Sequence, residues 1–297
     1  MALRVNANLR NKFSGLILSG LIAAGAGLAP VIASAQTGIA ASANPAEAAT
    51  YADLADLAER SDLVARVEIR RQIALEPERA PGVAPGFVRL YIEARTLALI
   101  AGNAGIGESL SYLVDVPVDA RGKPERLKNR EMLVFADAVP GRPGSLQLTG
   151  KHAQLDYSPE LEARLRPILT ALVAADKPPV VTGIRDALAV PGTLAGESET
   201  QIFLSTTDRS PVSITVLRRP GQPPVWGVSW GEIIDSSARS PARDTLRWYR
   251  LACALPARLP SSANLARDAD ARRLAEADYA LVMQQLGPCN RAITGPA

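Results

Sequence analysis

The stretch that decides the fold reads E-T-Q-I-F-L-S-T (199–206), T-D-R-S-P (207–211), V-S-I-T-V-L-R-R (212–219), P-G-Q-P-P (220–224) and V-W-G-V-S-W-G-E-I-I-D (225–235). Three short apolar runs separated by turns rich in Pro, Gly and Asp predict an antiparallel meander. Inside the last run, Gly227-Val228-Ser229-Trp230-Gly231 matches the G-x-S-x-G pattern of serine hydrolases.

That pattern needs a strand–turn–helix elbow under the serine, a general base and an orienting acid. Residues 225–234 read instead as continuous strand, with Trp226, Val228 and Trp230 alternating against Gly227, Ser229 and Gly231. The next helix signal, Ser240-Pro241, comes well downstream of the serine. His152, the only histidine, precedes Ser229, whereas those hydrolases place it after. Ser229 therefore stands as a weak catalytic candidate. The same glycines leave one sheet face nearly bare beside large indoles on the other. Such a surface either admits a closely packed helix or leaves a shallow groove for a ligand or partner, with Trp226 and Trp230 as its aromatic residues.

Downstream of the meander, Ser240-Pro241 opens a helix over Ala242–Leu255, carrying Leu246, Trp248, Tyr249 and Cys253. A final helix follows from about Ala266 to Leu286, where Gly287-Pro288 stops it beside Cys289. Upstream, Ser158 caps a helix with Pro159 at its first position, and Pro167 is expected to kink it or shift its start. Asp176-Lys177-Pro178-Pro179 then marks a domain boundary.

Before that helix the chain reads as β-structure. Thr50 caps a short helix, Tyr51–Glu59, with Leu54 and Leu57 on one face. Strands are predicted over the run after Ser61-Asp62, from Val88, over Leu110–Val118, around Met132–Ala136, and over Leu146–Leu148. In the second, Val88, Leu90, Ile92 and Ala94 point one way while Arg89, Tyr91, Glu93 and Arg95 point the other. Five strands linked by turn-rich segments suggest a small closed or nearly closed barrel.

Ser61-Asp62-Leu63-Val64 and Asn129-Arg130-Glu131-Met132-Leu133-Val134-Phe135 are similar to the pieces that open and end the OB-like barrel domains of exported bacterial proteins. That resemblance covers residues 61–150 and implies a fold but no activity. Taken whole, the chain resembles uncharacterised exported proteins of alphaproteobacteria. The likeness is carried by V-P-G-T-L-A-G-E, V-L-R-R-P-G-Q, W-G-V-S-W-G-E-I-I-D and D-T-L-R-W-Y-R-L-A-C, and it too implies no activity.

The first 35 residues read as a secretory signal peptide. A basic start (Arg4, Arg10, Lys12) precedes an uncharged run, and Ala33-Ser34-Ala35 offers a cleavage site, with Ala41-Ser42-Ala43 as a second. The expected location is the periplasm, with no integral membrane span after cleavage. Residues 36–50 are low in complexity and read as a disordered linker. The formal charge of +3 comes wholly from the leader; without it 30 basic residues face 30 acidic ones. A neutral chain with 4% aromatics lacks the basic footprint and stacking platforms of a nucleic-acid binder. In an oxidising compartment Cys253 and Cys289 form one disulfide, or they remain two free thiols. With one histidine and no C-x-x-C spacing, no metal site or cofactor is indicated.

Three other clusters invite chemistry. Arg121, Lys123, Arg126, Lys128 and Arg130 put five bases against one acid in ten residues. That run is a solvated loop, or a salt-sensitive contact with anionic envelope lipid or an acidic partner. Glu232 and Asp235, or Asp115 and Asp119, are carboxylates whose spacing fixes no working pair. Gly102–Gly107 has the wrong order for a dinucleotide loop.

The expectation is an exported α+β protein in two parts. Residues 51–177 form an OB-like β-barrel with a closing helix, and 178–297 a β-meander packed with two C-terminal helices. The expected role is non-catalytic binding of an envelope partner or ligand. The alternative is a hydrolase using Ser229 or paired carboxylates.

Overall fold

Two antiparallel sheets, joined by a helix, carry the chain. The structure, a computed structural model, describes residues 44–102, 105–231 and 239–295. The predicted leader and most of the predicted linker lie outside the described residues.

Helices α1 (Pro45–Ala48) and α2 (Tyr51–Glu59) come first. Thr50 caps α2 in a reciprocal box: its Oγ1 accepts the Asp53 N–H at 3.2 Å, and Asp53 accepts the Thr50 N–H at 2.8 Å. The first sheet is built from β1 (Leu63–Ala74), β2 (Phe87–Gly102), β3 (Ser109–Pro117), β4 (Glu131–Ala138), β5 (Leu146–Leu148) and β6 (Gln154–Asp156). Their order is β3-β2-β1-β4-β5, with β6 also on β4. Strands β5 and β6 share the β4 edge in offset registers, so Thr149–Ala153 loops out between them and leaves His152 exposed. Three register shifts between β1 and β2 bend the sheet. Its concave side buries Leu63, Val67 and Ile69 of β1 against Leu90 and Ile92 of β2, Tyr112 of β3 and Val134 of β4. At the far edges the Ser111 N–H donates to the Gly144 carbonyl at 2.7 Å, beside a single parallel bridge between Ser111 and Ser145. No closed barrel forms among the described strands, because that bridge does not extend into a ladder.

Helix α3 (Pro159–Val173) follows, capped by Ser158, whose Oγ accepts the Leu161 N–H. It continues through Pro167, which removes one donor without ending the helix. The boundary expected at Asp176–Pro179 falls in the connection to the second sheet. That sheet is a four-stranded meander of β7 (Val181–Pro191), β8 (Ser198–Thr206), β9 (Val212–Arg218) and β10 (Val225–Ser229). Two helices complete the chain, α4 (Leu246–Ala252) and α5 (Ala269–Leu286). Both are shorter than their sequence windows because Thr245 and Asp268, farther in, offer the capping oxygens. The α+β class with two antiparallel sheets is thus what the sequence pattern predicts.

One hydrophobic cluster lies between the sheets. It takes Val64, Leu133 and Phe135 from the convex side of the first sheet, Leu54 and Leu57 from α2, and Leu165 and Ile168 from α3. From the second sheet it takes Ile202, Ile214, Val216, Trp226 and Val228, and from the last two helices Trp248, Tyr279 and Val282.

The chain's C-terminal segment is tied to α2. Cys253, at the end of α4, is disulfide-bonded to Cys289, just past α5, with Cα atoms 5.1 Å apart. The following residues then dock on two buried carboxylates. Asp53 accepts N–H bonds from Ala292, Ile293 and Thr294 at 2.9, 3.1 and 2.8 Å. Asp56 accepts from Tyr249 Oη and from Arg291 Nε, each at 2.6 Å. Burial by itself would raise the Asp53 carboxyl, but hydrogen bonds from Thr50, Ala292 and Thr294 outweigh it and hold the group far below the usual carboxylate range. At Asp56 burial is likewise outweighed, by Arg291, Tyr249 and Thr294.

Candidate functional site

Ser229 is the last residue of β10, buried, and paired across the sheet with Ser213. The backbone beneath it is regular strand, so no sharp elbow lifts its hydroxyl above the sheet. Among the described residues the next helix begins at Leu246. His152 sits on the exposed β5–β6 loop of the other sheet. Glu232 and Asp235 lie outside the described residues. Asp115 is held by Arg89 through bonds of 2.6 and 2.8 Å, and that guanidinium keeps its carboxyl below the ordinary range. Asp119 is lowered chiefly by the Lys123 backbone N–H it accepts. A carboxylate stabilised in its charged form is a poor proton donor at neutral pH.

Trp226 points into the core, 6% exposed, and its indole Nε1–H donates to Gln285 Oε1 of α5 at 2.7 Å. Helix α5 therefore covers the indole. Trp230 is half-buried against the same cluster.

The basic run forms the β3–β4 connection and divides into two kinds of residue. Arg130 is paired with Glu125 and Asp156, both at 2.5 Å, and Arg121 with Asp119 at 3.2 Å. Lys123, Arg126 and Lys128 are exposed and make no ion pair among the described residues. Between the last two, Leu127 is buried in the first sheet's core. Gln72 holds that point of the loop, accepting the Leu127 N–H and donating to the Glu125 carbonyl at 2.9 Å. Asn129, in the left-handed region at φ 67°, donates to the Ile69 carbonyl. The loop thus presents two cations on either side of a buried anchor.

What brings polar side chains together is a cleft of about 480 Å³ over the β2–β3 surface. That volume lies within the range of small-ligand sites. Its floor is the solvent side of the sheet: Tyr91, Glu93 and Arg95 from β2, facing Ser109 and Ser111 from β3. Arg95 pairs across the strands with Ser109, and Glu93 with Ser111. Arg70 of β1 stands at one side, while Glu108 and the Pro143-Gly144 turn add further wall. Beside the cleft, Glu68 accepts Arg95 Nη2 at 2.8 Å and lies 3.0 Å from Arg70 Nη1. The Arg95 bond holds the Glu68 carboxyl below its usual range. Arg71 lies 3.7 Å from Glu93.

The alternation over 88–95 already places Tyr91, Glu93 and Arg95 on one face. It carries no sign that Ser111 would meet Gly144, because that contact joins strands distant in sequence. Among the described residues no group of three or more histidine, cysteine, aspartate or glutamate side chains is arranged to hold a metal ion. No protein-family profile and no curated protein matches the chain.

Proposed function

We propose that this chain is an exported envelope protein that binds a ligand without transforming it, and that the β2–β3 cleft is its binding site. The observation that carries the reading is the cleft itself: convergent guanidinium, carboxylate, hydroxyl and phenol groups on a preformed sheet surface. Export is supported by the leader-like start of the sequence and by the disulfide, which persists in oxidising compartments. Among the described residues no helix is long and apolar enough to cross a membrane. In this reading the first sheet is an OB-like half-barrel, supported by its strand order and by the approach of β3 to β5 at Ser111 and Ser145. The basic loop is a second, weaker contact, made with an anionic envelope surface.

The test is a fragment screen by two-dimensional amide NMR on the protein without its leader. Polar fragments are expected to perturb residues 91–95 and 108–111 together, and Tyr91→Ala is expected to remove those perturbations. Hits scattered over the surface, or clustered at Ser229, would count against the reading. Release of the protein by osmotic shock checks the location, and retention in spheroplasts would contradict it.

A further inference from the structure

We infer that the cleft takes a neutral glycan, a short stretch of a polysaccharide chain; this rests on the cleft being a binding site. The first ground is charge. Arg70, Arg71 and Arg95 are balanced in and around the cleft by Glu68, Glu93 and Glu108. Both Arg70 and Arg95 already face the Glu68 carboxylate. An anionic ligand would have to share those guanidiniums with a carboxylate that stays in place. A cationic ligand would meet three arginines. Neither gains what a one-signed site would supply.

The second ground is the hydrogen-bond inventory. Arginine only donates, ionised glutamate only accepts, and serine does both. Along the floor these alternate, with Arg95 opposite Ser109 and Glu93 opposite Ser111. Cross-strand neighbours sit about 5 Å apart and same-face neighbours along a strand about 7 Å apart. That grid has the scale of a single sugar ring, whose hydroxyls each donate and accept. At one end Tyr91 and its exposed cross-strand neighbour Leu113 form an apolar step, suited to the C–H face of such a ring.

The third ground separates a glycan from a peptide. An extended peptide binds by adding a strand to a free sheet edge. Here the β3 edge at Ser111 is already used by Gly144. The inward-facing Ala94 and Leu110 are buried, 4% and 3% exposed, so the floor offers no apolar pocket for peptide side chains.

Titration of the leaderless protein with cellotetraose and chitotetraose, followed by amide NMR and calorimetry, tests this. Tetragalacturonate and an uncharged acetylated tetrapeptide serve as comparison probes. A neutral oligosaccharide is expected to shift residues 91–95 and 108–111. Tyr91→Ala and Glu93→Gln, both on the solvent side of the sheet, are each expected to weaken it roughly tenfold or more. Binding unchanged in both variants would overturn the inference, as would preference for tetragalacturonate. If the peptide occupies the cleft and the neutral sugars do not, the ligand class falls while the binding site stands. If no probe reaches the cleft and the fragment screen also leaves it silent, both fall.

Discussion

The two sheets treat their aromatic residues in opposite ways. On the second sheet, Trp226 is the most conspicuous side chain of the decisive stretch, yet it is buried, with its indole N–H satisfied by Gln285. On the first, Tyr91 belongs to an alternating strand with no motif, yet it stands half-buried on the solvent side beside Arg70, Glu93 and Arg95. A sheet face becomes a site only if no other element needs it. Helix α5 needs the tryptophan face to bury its own apolar stripe, and its Tyr279 and Val282 join the same cluster. Around Glu93 and Arg95 the solvent side of β2 and β3 carries charges opposite serines, which leave a helix little to bury against.

The largest expected effects set these two aromatics apart. Trp226→Ala is expected to lower stability by about 3–5 kcal/mol, through lost burial and an unfilled cavity. Tyr91→Ala, at a half-buried side chain outside the main clusters, is expected to cost only about 1 kcal/mol and, if the cleft binds as proposed, to remove that binding. Urea titrations of both variants, compared at constant m-value, measure this. Equal losses would mean that Tyr91 is a packing residue after all.

Legibility in the sequence divides along the same line. Helix α2, its cap at Thr50 and the cap of α3 at Ser158 are local: hydroxyl, carboxylate and first turn lie within four residues. The meander is local too, since each strand pairs with the next in sequence. Two cysteines allow one pairing or two free thiols, and the structure forms the pair. What could not be read depends on distant partners. Nothing around Asp53 or Asp56 signals that residues more than 230 positions away bind them. The cleft was half-legible, because alternation gives a face its composition and not its exposure. The basic run is uniform in sequence, and only the fold shows Arg121 and Arg130 ion-paired while Lys123, Arg126 and Lys128 are exposed without an ion pair among the described residues.

A second contrast, smaller in expected effect, sets the covalent tie of the C-terminal segment against its polar one. Removing the disulfide with Cys253→Ser and Cys289→Ser is expected to cost about 3–4 kcal/mol in the chain-entropy account. Asp53→Ala is expected to cost about 3 kcal/mol, since it strips the partners from several backbone N–H groups at once. The two ties hold the same residues, so the combined variant is expected to lose less than the sum of the two. Acid sharpens the comparison. Asp53 and Asp56 titrate lower in the folded chain than in the unfolded one, so their stabilisation is complete above the unfolded value of about 4. It is lost progressively as the pH falls below that toward their folded values. Urea midpoints from pH 7 to pH 2 should therefore fall less steeply for Asp53→Asn than for the parent. Parallel curves would show that other carboxylates govern the acid limb.

The smallest expected effect distinguishes the loop's two kinds of cation. Arg130 lies between Glu125 and Asp156, so reversing its charge would disturb local packing as well as long-range attraction. Arg126 and Lys128 carry no such role: the structural work of their segment is done by buried Leu127 and by Gln72. Arg126→Glu with Lys128→Glu should thus leave the urea midpoint within about 0.5 kcal/mol of the parent. If the loop meets an anionic surface, the same pair should weaken sedimentation with phosphatidylglycerol vesicles at low salt. The parent's own binding should fade as ionic strength rises and the screening length shrinks to about 8 Å near 0.15 M. Vesicle binding that ignores both salt and the double substitution would leave the loop a solvated connection.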